Sequence, residues 1–210
     1  YRTYDPEVSV KTFTLEDLQK HKELIADVQK ELRYRTVPDP ENPELSSFTG
    51  EILPGESISH TVRYDEAAIY KLLVKIQAEN QEQALRSTII SMSFDGKKTV
   101  ECPVGDFFGT GYQLHPSNTW YSFADIEGYL FTYWVMPFRE ECTVTIENRG
   151  TQTVNLANGE ITCAPYDWDS NTMYFGAAWR QYTNVATGEQ KNNEGEGGPF
   201  DVNYVTLNGK

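Results

Sequence analysis

The sequence predicts a mostly β protein, a jelly-roll β-sandwich carrying one N-terminal amphipathic helix. Three observations predict it. From Ile69 onward apolar residues recur at every second position, which is the period of a half-buried strand. Turn-forming residues cut this pattern into many short pieces, as in sandwiches and barrels. Aromatic residues reach 13%, including 13 Tyr, a composition that favours strands over helices.

The helix is expected first. In Thr14–Leu32 the residues Leu15, Leu18, Ile25, Val28 and Leu32 share one face, the opposite face is charged, and Thr14 with Asp17 resembles a capping box. The following stretch, Arg35–Pro54, contains Pro38, Pro40, Pro43 and Pro54 among polar residues and reads as a loop. Residues 1–54 thus form a helix-containing N-terminal segment and loop, and residues 55–210 the sandwich.

Within the sandwich, Tyr70, Leu72, Val74, Ile76 and Ala78 alternate with more polar residues to mark a strand over Ile69–Ala78. Thr88–Phe94 repeats the pattern, and Asp95-Gly96 supplies a hairpin turn into Lys98–Val104. Tyr129–Met136 and Cys142–Glu147 are strands around Pro137, the second ended by Asn148-Arg149-Gly150. Gln152–Leu156, Glu160–Ala164, Thr172–Trp179 and Val202–Leu207 complete the set, with a glycine-rich polar loop at Thr187–Pro199.

Composition narrows the function. The 210 residues carry 18 Lys+Arg against 31 Asp+Glu, a net charge of -13. Without any basic cluster, that charge repels a phosphate backbone, so no nucleic-acid partner is expected. No run of 18 apolar residues exists, so no helical membrane span or membrane partner is expected. Tyr1-Arg2-Thr3-Tyr4 is neither an initiator nor a signal peptide and reads as a trimmed start. Cys102, Cys142 and Cys163 are odd in number and widely spaced, which suits buried free thiols rather than a disulfide framework or metal site. His21, His60 and His115 lack zinc-ligand spacing, and neither metal nor organic cofactor is expected.

Candidate chemistry is sparse. Gly195, Gly197 and Gly198 do not form a phosphate loop, lacking both GxGxxG and a following helix. Asp167, Asp169 and Asn171 imitate the start of a calcium loop, but Thr172 and Ala178 stand where its Gly and Glu belong. Glu140 and Glu141 are neighbours on a strand and point to opposite faces. Glu194 and Glu196 share a parity in a loop and are geometrically open to an acid or base role.

The densest unusual segment is Cys102–Gly111 (CPVGDFFGTG), in which three glycines flank an acid and two aromatics. Two readings stand side by side. It is either a β-bulge and turn with two core Phe residues, or a sugar-binding element in which Asp106 accepts hydrogen bonds beside the rings of Phe107 and Phe108. Trp134, mid-strand in this reading, is expected in the core. Trp120, in the loop after His115–Asn118, is the expected exposed platform.

Cys102–Gly111, then Tyr133–Arg139 (YWVMPFR), then Val144–Asn148 (VTIEN) resemble consecutive signatures of glycoside hydrolase family 172. Trp179–Tyr182 (WRQY) and Gly197–Gly209 are similar to later stretches of its longer Bacteroides-type members. The resemblance implies a protomer of two jelly rolls in trimers or hexamers, acting on α-fructofuranosides such as difructose dianhydride or on D-arabinofuranosides. It implies a retaining mechanism, with two carboxylates about 5 Å apart, and no cofactor.

The family's GEGE-like and GTGTEDY-like glutamate motifs and its early SFDRxGGN-like segment have no counterpart in this sequence. The expectation is therefore an interior piece of such an enzyme, inactive in isolation, with no catalytic residue of its own. Asp106, Phe107, Phe108 and Trp120 would line or support its sugar pocket. Its partners would be the carbohydrate substrate, the remaining segments of the same enzyme and further copies of itself. A periplasmic or secreted location goes with that activity. A non-catalytic carbohydrate-binding or assembly β-sandwich is the alternative.

Overall fold

A computed structural model describes residues 5, 7–9, 12–33, 40–181 and 183. Thr14 caps the N-terminal helix, with its hydroxyl and Asp17 in a reciprocal capping box. The helix comes in two pieces, α1 (Leu15–Lys20) and α2 (Lys22–Arg33), because His21 leaves helical geometry at φ -108°, ψ 19°. None of its residues is buried.

The chain then forms β1 (Glu44–Ser47), β2 (Gly50–Ile52), β3 (Ser57–Arg63), β4 (Ala67–Gln77), α3 (Gln81–Ser87), β5 (Thr88–Phe94) and β6 (Lys97–Pro103). Next come α4 (Val104–Phe107), β7 (Ser117–Asn118), β8 (Ser122–Ala124), β9 (Leu130–Thr132), β10 (Met136–Phe138), β11 (Glu141–Asn148), β12 (Val154–Pro165) and β13 (Ala177–Ala178). The stretch expected as a proline-rich loop thus holds two short strands. Pro43 precedes β1 and Pro54 follows β2, so neither proline interrupts a ladder.

Two sheets face each other. One has the order β1-β12-β4-β9-β8-β7, with β2 also on β12 and β10 also on β4; the other runs β13-β6-β5-β11-β3. Around the two longest strands the first sheet reads β2-β12-β4-β10, opposite β3-β11-β5-β6, and the chain crosses repeatedly between sheets, the interleaved order of a jelly roll. Period-two alternation places Ile69, Leu72, Val74, Ile76, Leu156 and Ile161 against Ile90, Met92, Phe94, Val144 and Ile146 in one buried core.

The Asp95-Gly96 hairpin forms with φ of 50° and 76°, the left-handed pair its turn type demands. Asp95 also ties the sandwich together. Its carboxylate accepts the backbone N–H groups of Arg139, Glu140 and Glu141 at 2.8–3.0 Å and the Tyr174 hydroxyl at 2.9 Å. Burial would raise its pKa, but these hydrogen bonds prevail and hold it below the usual carboxylate range.

Three expectations need correction. The two strands foreseen at Gln152–Leu156 and Glu160–Ala164 are one, β12, which runs through Asn158-Gly159 with a register shift. Gly159 is there for closeness rather than for a turn, since a Cβ would lie 2.8 Å from the Phe48 carbonyl oxygen. Tyr129–Met136 is not one strand: the ladder stops at Thr132, and Trp134 lies in the link to β10 at 36% exposure, outside the core. Of Thr172–Trp179 only β13 is a strand. Thr187–Pro199 and Val202–Leu207 lie outside the described residues.

All three cysteines are free and buried. Among the described residues no helix is long and apolar enough to cross a membrane, and no cluster of three His, Cys, Asp or Glu could hold a metal.

Candidate functional site

The geometry around Cys102–Gly111 decides what its glycines do. Gly105 is the second residue of the single turn α4 and is buried there. A Cβ on it would lie 1.7 Å from the Gly111 carbonyl oxygen and 3.2 Å from the Leu85 Cβ. The Gly105 carbonyl in turn accepts the N–H groups of Thr110 and Gly111, both at 2.9 Å. Gly109 and Gly111 take left-handed φ of 79° and 69°, which favours glycine. The motif is therefore a tightly closed loop, in which Gly105 serves close backbone approach and Gly109 and Gly111 the left-handed turns.

What the loop displays is Asp106 and Phe107. Asp106 meets Arg86 of α3, with an N–O separation of 2.5 Å. Asn80 caps α3 by accepting the N–H of Gln83, while Ala84 and Leu85 bury the helix against the sandwich and leave Arg86 facing the loop. The Arg86 guanidinium also lies over the Trp179 ring, 5.2 Å from its centroid, a cation–π arrangement. Phe107 packs edge-on against Phe108 at 5.1 Å and Phe175 at 6.4 Å.

Opposite this loop, the segment Phe175–Trp179 is fastened along β6. β13 pairs in parallel with β6, Thr99 donates its hydroxyl to the Phe175 carbonyl at 2.5 Å, and the Trp179 N–H reaches the Glu101 carbonyl at 3.2 Å. Trp134 closes one end, stacked on Tyr121 at 4.1 Å and tilted against Phe175 at 5.7 Å. These walls enclose an open cleft of about 580 Å³, lined chiefly by Asp106, Phe107, Trp134, Phe175 and Trp179 over the floor at Cys102. Burial, reinforced by the charges of Asp106 and Glu101, pushes the Cys102 thiol above its usual pKa, so it sits there as a neutral apolar group.

Of the four residues singled out from sequence, Asp106 and Phe107 line the cleft. Phe108 is fully buried beneath Phe107 in the core. Trp120 is 45% exposed and does not line the cleft. The aromatic roles there belong to Trp134, Phe175 and Trp179. Sequence reading placed Trp134 in the core and gave no sign that residues near 86 and 179 meet the 106 loop. Asp106 is the one carboxylate of the lining among the described residues. Glu140 is exposed on the far side of the Asp95 turn and Glu141 pairs with Arg63 at 3.2 Å, while Glu194 and Glu196 lie outside the described residues.

Among curated proteins none matches the chain. A solved serine protease of Aeromonas sobria shares 12% identity at a TM-score of 0.30, over 70% of this chain and 30% of that one. The same protease in complex with its chaperone gives 10% identity, a TM-score of 0.28 and coverages of 70% and 29%. The chain spans less than a third of either protease chain, and likeness at this level carries nothing over from them. Residues 42–161, more than half of the chain and most of both sheets, match the family model described as GH172 domain-like, and the chain belongs to that family.

Proposed function

We propose that this chain builds the aromatic wall of a sugar site in a retaining glycoside hydrolase acting on furanosides, of the α-fructofuranoside or D-arabinofuranoside type. The observation that carries the proposal is the cleft at β6 and β13. Its rings offer apolar faces to the C–H surfaces of a sugar, and a single charged pair at the rim fixes orientation. Asp106 accepts sugar hydroxyl hydrogens, Arg86 donates to sugar oxygens, and Phe108 props Phe107 from below.

Retention requires a nucleophile and an acid/base carboxylate about 5–5.5 Å apart. Asp106 stands without a second carboxylate in the described lining and is already held by Arg86. The proposal therefore draws both reacting carboxylates from outside this chain, from another segment or subunit of the enzyme, in a periplasmic or secreted setting.

Titration with arabinofuranosyl and fructofuranosyl oligosaccharides, followed by tryptophan fluorescence and calorimetry, tests this. Saturable binding is expected, weakened several-fold and up to about 10-fold in Trp179→Ala, since one packed ring contributes about 0.5–1.5 kcal/mol. No turnover is expected. Turnover by the chain that disappears in Glu194→Gln or Glu196→Gln would overturn the external carboxylates, and undisturbed binding by Trp179→Ala would overturn the cleft.

A further inference from the structure

On the side of the sandwich remote from β13, a crevice of about 150 Å³ opens between β1 and β3, the outer strands of the two sheets. β3 is the longer edge, seven residues against four in β1. Its seven residues, Ser-Ile-Ser-His-Thr-Val-Arg, contain no Pro, Gly or Lys, and their register with β11 is unbroken. Edges are ordinarily blunted by such residues or by bulges, because an unblunted edge is a template for another strand. Among the described residues no strand other than β11 pairs with it.

The strand is symmetric in its chemistry. Ile58, His60 and Val62 face inward, with both aliphatic residues packed on the core. Ser57, Ser59, Thr61 and Arg63 face outward. Read in either direction from His60, the order is hydroxyl, aliphatic, polar.

We propose that β3 pairs with β3 of a second copy of this chain, antiparallel about a two-fold axis at His60, joining the two five-stranded sheets into one continuous sheet. In that register Ile58 lies opposite Val62 of the second copy, and Ser59 opposite its Thr61. The hydroxyl pairs already present, Ser59 with Thr145 and Thr61 with Thr143, both at 2.8 Å, then continue across the junction as one line.

Charge follows the same register. Arg63 meets Glu141 of its own β11 at 3.2 Å. Across the junction it lies beside Ser57, whose neighbour on β11 is Glu147. Each arginine thus keeps Glu141 of its own copy and approaches the Glu147–Arg149 pair of the other, in which Arg149 holds Glu147 at 2.7 Å. A slip by one residue would set the core-facing Ile58 and Val62 opposite residues that face outward in the second copy, and a slip by two would set Ile58 against His60, so the pattern specifies one register.

Sedimentation velocity on the full chain tests the pairing with two double variants that lose the same intrachain hydroxyl pairs. Ser59→Lys with Thr61→Lys sets lysine against lysine twice across the axis. Ser59→Lys with Thr61→Glu sets lysine against glutamate twice. With equal thermal melts as the folding control, the wild type is expected to self-associate, the Lys/Lys variant to associate at least 10-fold more weakly, and the Lys/Glu variant to recover within about 3-fold. In addition, His60→Cys is expected to cross-link between copies on mild oxidation, since paired strands bring the Cα atoms opposite within disulfide range. A wild type that stays monomeric at 100 µM, or equal assembly by both double variants, overturns the pairing.

Discussion

Gly105→Ala tests the reading of the Cys102–Gly111 loop. The new Cβ would start 1.7 Å from the Gly111 carbonyl oxygen and 2.9 Å from its carbon, with Leu85 Cβ at 3.2 Å behind it. Real Cβ atoms essentially never approach closer than 3.0 Å, so the loop must retreat by about 1.3 Å. Both hydrogen bonds to the Gly105 carbonyl are then stretched or lost, at about 0.5–1.5 kcal/mol each. Overpacking adds about 1–3 kcal/mol, and alanine's better helix propensity returns about 1 kcal/mol.

The net is a loss of about 1–5 kcal/mol. For a domain of this size each kcal/mol lowers Tm by about 2–4 °C, so scanning calorimetry should show a fall on the order of 10 °C. Gly109→Ala is the control. Its nearest neighbour would be Ser122 Oγ at 3.6 Å, leaving only the left-handed φ of 79° to oppose it, at about 1–2 kcal/mol. A Gly105→Ala melt within 2 °C of wild type, or a larger effect at Gly109, would refute the close-approach argument.

Other predictions concern acid stability, thiol chemistry and the cleft rim. Asp95 has a depressed pKa when folded, so its contribution is present above the unfolded carboxylate pKa and is lost as pH falls through the lower folded value. Asp95→Asn should therefore cost about 1–3 kcal/mol at neutral pH and flatten the acid limb of a Tm-against-pH curve; an unchanged limb would contradict this. Burial pushes the Cys163 thiol up to about 12 and Cys142 higher still, so a thiol reagent at pH 8 should label neither until the protein unfolds. Rapid labelling of either in the native protein would show that the core opens more readily than its packing implies. Arg86→Gln removes a half-exposed ion pair and should change stability by less than about 1 kcal/mol, yet weaken sugar binding about 10-fold by releasing both Asp106 and Trp179. Calorimetry on the same sample reads both.

Local pattern made much of the fold legible. β11 alternates cleanly because it has one face on the core, β5 does so from Ile90 onward, and Asp95-Gly96 announces its hairpin, whereas β4 buries residues on both faces. Where local pattern misleads, a tertiary cause is visible. Asn158-Gly159 has the look of a turn, but its glycine makes room for the Phe48 carbonyl within a continuous strand. The aromatic run Tyr129–Met136 has the look of a strand. The Tyr133 N–H, however, goes to the Tyr121 carbonyl at 2.8 Å, turning Trp134 out of the ladder and onto Tyr121.

The candidate site was legible only on one side. Asp106 and Phe107 stand out because three glycines crowd around them, although the glycines turn out to serve the loop's own closure. Arg86, Trp134, Phe175 and Trp179 reach the same cleft from other parts of the chain. No spacing rule links them, since only the parallel pairing of β13 with β6 and the packing of α3 bring them together.

The four tryptophan indole N–H resonances report directly on the proposed sugar site in the cleft. In a 1H–15N titration of the chain with an arabinofuranosyl oligosaccharide, Trp134 and Trp179 should shift together along one saturation curve. Trp168, packed between Tyr174 and Arg139 away from the cleft lining, should stay in place, as should Trp120. Shifts confined to Trp120 or Trp168, or no shift at saturating sugar, would contradict the assignment of this cleft.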